Sequence, residues 1–209
     1  MLEAIDLECV RGERTLFSGL NFALRGGELM RVAGANGSGK TSLLRIVCGL
    51  LFPEQGSVRW RGENVRTLRE EYGKELVYVG HSNAVKDDLT AAENVTVSCT
   101  LSGMEPDRDR VHEALHGIGL AGCEGLPARA LSQGQRRRVA LARLLLCGHA
   151  PLWVLDEPFA ALDAQAIERV QALISAHVAR GAAVVYTSHQ EARLPATHTI
   201  NLAGAASDR

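Results

Sequence analysis

Residues 34 to 41 read GANGSGKT, and no other stretch restricts the fold as strongly. The octet fits G-x-x-x-x-G-K-[ST], a loop that must curl until successive backbone N–H groups converge on one point. Gly34, Gly37 and Gly39 give the backbone that freedom, with Ala35, Asn36 and Ser38 between them. Upstream, ELMRVAG predicts a strand; downstream, TSLLRIVCGLL predicts an apolar helix. A strand turning through such a loop into a helix aims the helix's positive end at an anion. In that frame Lys40 reaches the β- and γ-phosphates of a nucleotide, Thr41 offers its hydroxyl oxygen to Mg²⁺, and Ser42 completes the phosphate cradle.

The loop needs a sheet. IDLEC (5–9), LNFAL (20–24) and SVRWRG (57–62) alternate apolar and polar residues, which predicts half-buried antiparallel strands within the first 65 residues. PLWVLD (151–156) and GAAVVYTSH (181–189) are continuous apolar runs instead, as expected of parallel strands covered on both faces. Between about 84 and 150 the pattern turns helical, with Val111, Leu115 and Ile118 on one stripe. Aromatics make up only 4% of the chain, so the core is built from aliphatic residues. The fold class is therefore α/β. One domain of 1–209 is expected, with a core of about 1–83 and 151–209 and helices over about 84–150. The tail Ala203–Arg209 is small and polar and is expected to fray.

The strand PLWVLD delivers Asp156 and Glu157 to its carboxyl edge, where α/β sheets place their ligands. Asp156 would hold Mg²⁺, directly or through water. Glu157 would position and deprotonate an attacking water.

Other features point elsewhere. HEALH (112–116) matches the His-Glu-x-x-His pattern of zinc peptidases. A catalytic zinc site needs three protein ligands and this stretch offers two. Gly122 stands where the longer frame requires a third histidine, and Gly117 and Gly119 would end the helix at once. The stretch reads as solvated helix surface. Arg136, Arg137 and Arg138 read as a solvated face or a partner contact, because a net charge of −1 provides no field to hold nucleic acid. The five cysteines form no C-x-x-C pair and read as buried free thiols. No apolar run reaches the roughly 20 residues that span a bilayer. The start, MLEAIDLECVR, is not a secretion signal.

LSQGQRRR (131–138) resembles the signature of ATP-binding-cassette ATPases, usually Leu-Ser-Gly-Gly-Gln. The motif order agrees along essentially the whole chain: GANGSGKT, LSQGQ, the Asp156–Glu157 pair, AALD (160–163), then His189 after a strand. The resemblance implies a P-loop NTPase cassette: a mixed parallel core sheet, an N-terminal antiparallel β subdomain and an inserted helical subdomain. It implies that Ser132, Gly134 and Gln135 cap the γ-phosphate of a nucleotide held by the other copy of a homodimer. It implies that Asp163 makes contacts across the dimer and that His189 meets the γ-phosphate. Three positions depart from the family. Gln133 replaces the usual glycine. No aromatic stands near residues 9–12 to stack on adenine, where the guanidinium of Arg11 could stack instead. His81, after the strand ELVYVG, occupies the place of a glutamine that senses Mg²⁺ and the membrane partner.

YVGH, LPARALSQGQRRRVALARL, PLWVLDEPFAALD and TSHQ together resemble the ATP-binding subunit of the bacterial haem exporter of cytochrome c biogenesis. That resemblance implies a peripheral ATPase on the cytoplasmic face of the inner membrane, working under integral membrane permease subunits. It implies ATP hydrolysis coupled to export or release of haem or a haem-linked species, with no direct haem binding by this chain. Two other readings stay open: a cassette serving another small transporter, and a soluble cassette without a transport role. The soluble class usually carries a second cassette, a long coiled-coil insert or a basic arm, and the 209 residues contain none.

Overall fold

The computed structural model describes residues 1–188 and 194–202. In chain order the strands are β1 (Leu2–Arg11), β2 (Arg14–Leu24), β3 (Leu29–Ala33), β4 (Gln55–Trp60), β5 (Glu63–Asn64), β6 (Leu76–Val79), β7 (Leu152–Leu155), β8 (Ala183–Thr187) and β9 (His198–Asn201). The helices are α1 (Lys40–Val47), the short α2 (Val65–Leu68) and α3 (Glu70–Lys74), then α4 (Ala91–Thr100), α5 (Arg108–Gly117), α6 (Gln133–Leu146) and α7 (Ala164–Ala179).

Alternation in the first 65 residues produces an antiparallel sheet in the order β2-β1-β4-β5. Leu2, Ala4, Leu7 and Cys9 of β1 are buried. The register slips between Ala4 and Leu7, where β1 departs from regular pairing. Opposite that slip stands Gly56, whose Cβ would lie 2.3 Å from the Ile5 carbonyl oxygen. Only glycine permits so close a backbone approach.

The second sheet runs β6-β7-β8-β3-β9, with every pair parallel. Every residue of β7 and β8 is buried, as the continuous apolar runs require. Helix α1 packs Leu43, Leu44, Ile46 and Val47 against Leu2, Leu7 and Phe17 of the antiparallel sheet, and against Val32, Val154 and Val185 of the parallel one. On the other side Leu155, Val184 and Trp153 join a second core with Val95 of α4, Leu115 of α5, Leu141 of α6 and Val170 of α7.

The helix starts are specified locally. Thr90 and Glu93 form a capping box on α4, and Asp107 caps α5. Ser132 and Gln135 form a second capping box on α6, and Asp163 caps α7. Asn94 is buried and ties down the preceding loop: its Oδ1 accepts from Lys86 N–H at 2.7 Å, and its Nδ2 donates to the carbonyls of Lys86, Leu89 and Thr90.

Candidate active site

The carboxyl ends of β3 and β7 feed one open cleft of about 570 Å³. Asn36, Gly37, Gly39, Lys40, Thr41 and Ser42 line it from the loop after β3. Asp156 and Glu157 line it from the end of β7, joined by His81 and Leu16. Strand β8 lies between β7 and β3, so the two loops are not neighbours in the sheet. Side chains close that gap. Thr41 Oγ1 donates to Asp156 Oδ2 at 2.8 Å, and Thr187 Oγ1, at the end of β8, donates to Asp156 Oδ1 at 2.7 Å. The Glu157 N–H donates to Thr187 Oγ1 at 2.8 Å.

The loop Gly34–Thr41 has the form that phosphate cradling needs. Gly37 and Gly39 lie at φ 75° and 99°, in the left-handed region. Gly39 also sits so close to Phe17 that a Cβ would press on its ring at 3.2 Å. Helix α1 starts without a side-chain cap and without an acidic residue in its first turn, leaving its positive end to an external anion. Lys40 is 8% exposed, and its Nζ donates to the carbonyls of Gly34 at 2.8 Å and Ala35 at 3.0 Å. Ser38 Oγ is buried without a hydrogen-bond partner and packs against Gly34, where a Cβ would lie 2.5 Å from it.

The three consecutive arginines meet three different fates, which corrects their reading as one solvated or partner-facing patch. Arg136 pairs with Asp87 at 2.8 Å. Arg138 Nη1 donates to the Gly119 carbonyl at 2.9 Å. Arg137 is buried and donates to the carbonyls of Asp156 and Glu157. Burial pulls its pKa below the usual arginine value, and the charges of Asp156 and Glu157 act against that pull.

The other residues singled out in the sequence divide into two groups. Ser132 is exposed at the start of α6; its Oγ accepts from Gln135 N–H at 3.2 Å, while Gln135 Oε1 accepts from Ser132 N–H at 2.8 Å. Gly134 abuts the AALD loop, with a Cβ position 2.6 Å from the Ala161 carbonyl oxygen. Asp163 Oδ1 accepts from Ala166 N–H at 2.8 Å. None of Ser132, Gly134, Gln135 or Asp163 lines this chain's cleft. Arg11 does not line it either; it is exposed beside the β1–β2 turn, and the cleft wall on β2 is the aliphatic Leu16. His189 and the tail Ala203–Arg209 lie outside the described residues. Leu16, Arg137 and Thr187 are the residues that sequence reasoning missed.

HEALH lies on α5, which ends at Gly117. His116 meets Glu124, and His112 lines a separate cavity of about 490 Å³ with Val97, Pro106 and Val111. Among the described residues no cluster of three His, Cys, Asp or Glu side chains could hold a metal ion. Of the cysteines, Cys9, Cys48, Cys99 and Cys147 are buried free thiols, and Cys123 is half-buried.

Residues 17–160 match the family model described as ABC transporter. The chain belongs to the ABC transporter family. The cassette is related to the CcmA proteins along its full length. The cytochrome c biogenesis ATP-binding export protein CcmA of Nitrosospira multiformis is 53% identical over 208 residues, covering 100% of this chain and 97% of its own. The protein of the same name from Nitrosomonas europaea is 54% identical over 191 residues, covering 91% and 89%. Among solved structures, the ATP-binding cassette MJ0796, in a dimeric post-hydrolysis state bound to ADP and Pi, superposes with a TM-score of 0.84 at 25% identity over 96% of this chain and 94% of that one. The protein is thus an ATP-binding and ATP-hydrolysing cassette subunit with the ABC fold.

Proposed function

We propose that the chain is the ATPase of a membrane exporter serving cytochrome c biogenesis, with haem or a haem-linked species as cargo. The role follows the proteins it resembles, the CcmA export proteins at 53% and 54% identity. The observation that carries the chemistry is the cleft that joins Gly37, Gly39–Ser42, Asp156 and Glu157 around the Thr41–Asp156–Thr187 hydrogen bonds. No helix among the described residues is long and apolar enough to cross a membrane. The likeness to the CcmA export proteins supports a separate permease through which the energy of hydrolysis is spent. The expected place is the cytoplasmic face of the cell membrane.

The residues fit a hard divalent cation. Thr41 Oγ1 and Asp156 Oδ2 bring two oxygen donors within 2.8 Å of each other, the donor type that Mg²⁺ prefers. Mg²⁺, when bound, neutralises charge on the phosphate oxygens. The remaining work falls to the protein. The loop N–H groups and Lys40 bind the phosphates, for which Lys40 gives up its bonds to the Gly34 and Ala35 carbonyls. Glu157 orients the attacking water and takes its proton. Ser132, Gly134 and Gln135 lie outside this chain's cleft, which suits capping of a nucleotide held by a second copy.

Glu157→Gln tests the chemistry. Steady-state hydrolysis should fall about 10²- to 10⁴-fold while ATP binding persists; near-normal turnover removes Glu157 from the role. Purification from membranes tests the partner: permease subunits should copurify with the chain, and their absence would favour a soluble cassette.

A further inference from the structure

Glu157 adopts φ 49°, a left-handed conformation. For a residue with a side chain that costs about 1–2 kcal/mol, and it persists only where the surroundings impose it. The surroundings are visible. The peptide plane before its Cα carries the Asp156 carbonyl, which accepts from Arg137 Nη2 at 2.7 Å. The N–H of that plane is held by Thr187 Oγ1 at 2.8 Å. The plane after its Cα carries the Glu157 carbonyl, which accepts from the same Nη2 at 2.9 Å and from the Ala160 N–H at 3.1 Å. That second plane has no N–H of its own, because Pro158 follows. Fixing both planes fixes φ and ψ, and with them the direction of the Cα–Cβ bond.

The other arm of the guanidinium grips a second loop. Arg137 Nη1 donates to the Gly80 carbonyl at 2.9 Å and to Asn83 Oδ1 at 3.1 Å. Between these two anchors stands His81, in the wall of the cleft. Arg137 itself belongs to α6, the helix that Ser132 caps, and is 3% exposed. One buried side chain therefore clamps three pieces of the site: the start of α6, the loop 80–83 and the Asp156–Glu157 turn.

We infer that Arg137 is the positioning residue for Glu157: it imposes the left-handed turn that aims the Glu157 carboxylate into the cleft, and it ties that turn to the loop carrying His81. The inference rests on Glu157 being the base. Lysine cannot replace arginine here, because a single ammonium cannot serve two carbonyls on one side and two acceptors on the other. The role acts through the position of Glu157 and leaves the phosphate cradle alone, so it should appear in turnover and be absent from ATP affinity.

The test is a cycle of four full-length proteins: wild type, Arg137→Lys, Glu157→Gln and the double variant. Single-turnover hydrolysis at saturating Mg-ATP and the Kd for ATP are measured on each. Arg137→Lys should slow hydrolysis by about 10- to 100-fold, the scale of a small misplacement of a catalytic group, with Kd changed less than about threefold. In the Glu157→Gln background the same change should alter the residual rate by less than about threefold, because there is no longer a base to misplace. An equal loss in both backgrounds, or a wild-type rate for Arg137→Lys, overturns the inference and leaves the base in place. Near-normal turnover of Glu157→Gln alone overturns the base and the inference with it. If Arg137→Lys does not fold, Arg137→Gln, which keeps one amide donor, enters the same cycle.

Discussion

His177 should make the stability of this protein fall as the medium turns mildly acidic. The imidazole lies in α7 at 1% exposure, stacked on Trp153 at 3.6 Å between ring centroids and 10° between planes. Arg180 Nη2 stands 3.3 Å from its Nδ1, so the guanidinium donates and the ring accepts. Protonation would break that bond, bury a charge and set two cations side by side. Burial first and the Arg180 charge second push the His177 pKa down from 6.5 to about 4, against a backbone hydrogen bond with Ala150 that acts the other way. The folded value lies below the unfolded one, so the unfolded chain takes up the proton first. The contribution is whole above pH 6.5, shrinks as pH falls and is gone below about pH 4. A shift of this size corresponds to roughly 3 kcal/mol in full, and about 2 kcal/mol of it is lost by pH 5. His177→Phe keeps a ring on Trp153 and removes the proton site. It should start about 1 kcal/mol less stable at pH 7.5, having lost the acceptor for Arg180, and should close that gap as pH falls. Urea unfolding followed by far-UV circular dichroism at pH 7.5, 6, 5 and 4.5 reads both curves. A gap that stays constant from pH 7.5 to 5 would refute the reasoning.

Three further outcomes are expected. Thr187→Val strips the hydroxyl that serves both Asp156 and Glu157 and should cost about 2 kcal/mol in denaturant unfolding, while Thr187→Ser should cost clearly less. Gly134→Ala places a methyl carbon 2.6 Å from the Ala161 carbonyl oxygen, and should destabilise the protein by about 1–3 kcal/mol in thermal melts by forcing the start of α6 off the AALD loop. His112→Ala with His116→Ala should leave ATP hydrolysis intact, and elemental analysis of the wild type should find no stoichiometric zinc; about one zinc per chain, lost in the double variant, would restore a metal role to HEALH.

What could be read from the sequence was local. Gly34–Thr41 shows itself because a phosphate loop is a contiguous run between a strand and a helix. Ser132 and Gln135 show themselves because a capping box joins residues three apart. The alternation of β1 and the unbroken apolar runs of β7 and β8 report how many faces of each strand are covered. What escaped was decided by distant neighbours. Arg136, Arg137 and Arg138 are three identical letters, and only the packing of α6 against the ends of β6 and β7 buries the middle one. Thr187 is a polar residue closing an apolar run, and its task depends on which strand lies beside β7. Arg11, expected at the adenine end because it stands near the missing aromatic, is exposed and does not line the cleft, whose wall on β2 is Leu16. The short β5, β9, α2 and α3 carry too few residues to show a period.

The order of strands in the parallel sheet also bears on how the chain is made. β3, which leads into the phosphate loop, has β8 and β9 as its two neighbours, and Leu29 pairs with Val184, about 155 residues later. β1 and β2, by contrast, close on each other through a tight turn. A chain emerging from the ribosome can zip its antiparallel sheet early, but it must carry an unpaired apolar strand until β8 and β9 have been synthesised. The loop that cradles the nucleotide is thus specified about 150 residues before the strands that flank β3 are made. Truncated or stalled products would display β3 as an open edge, a ready target for chaperones and proteases.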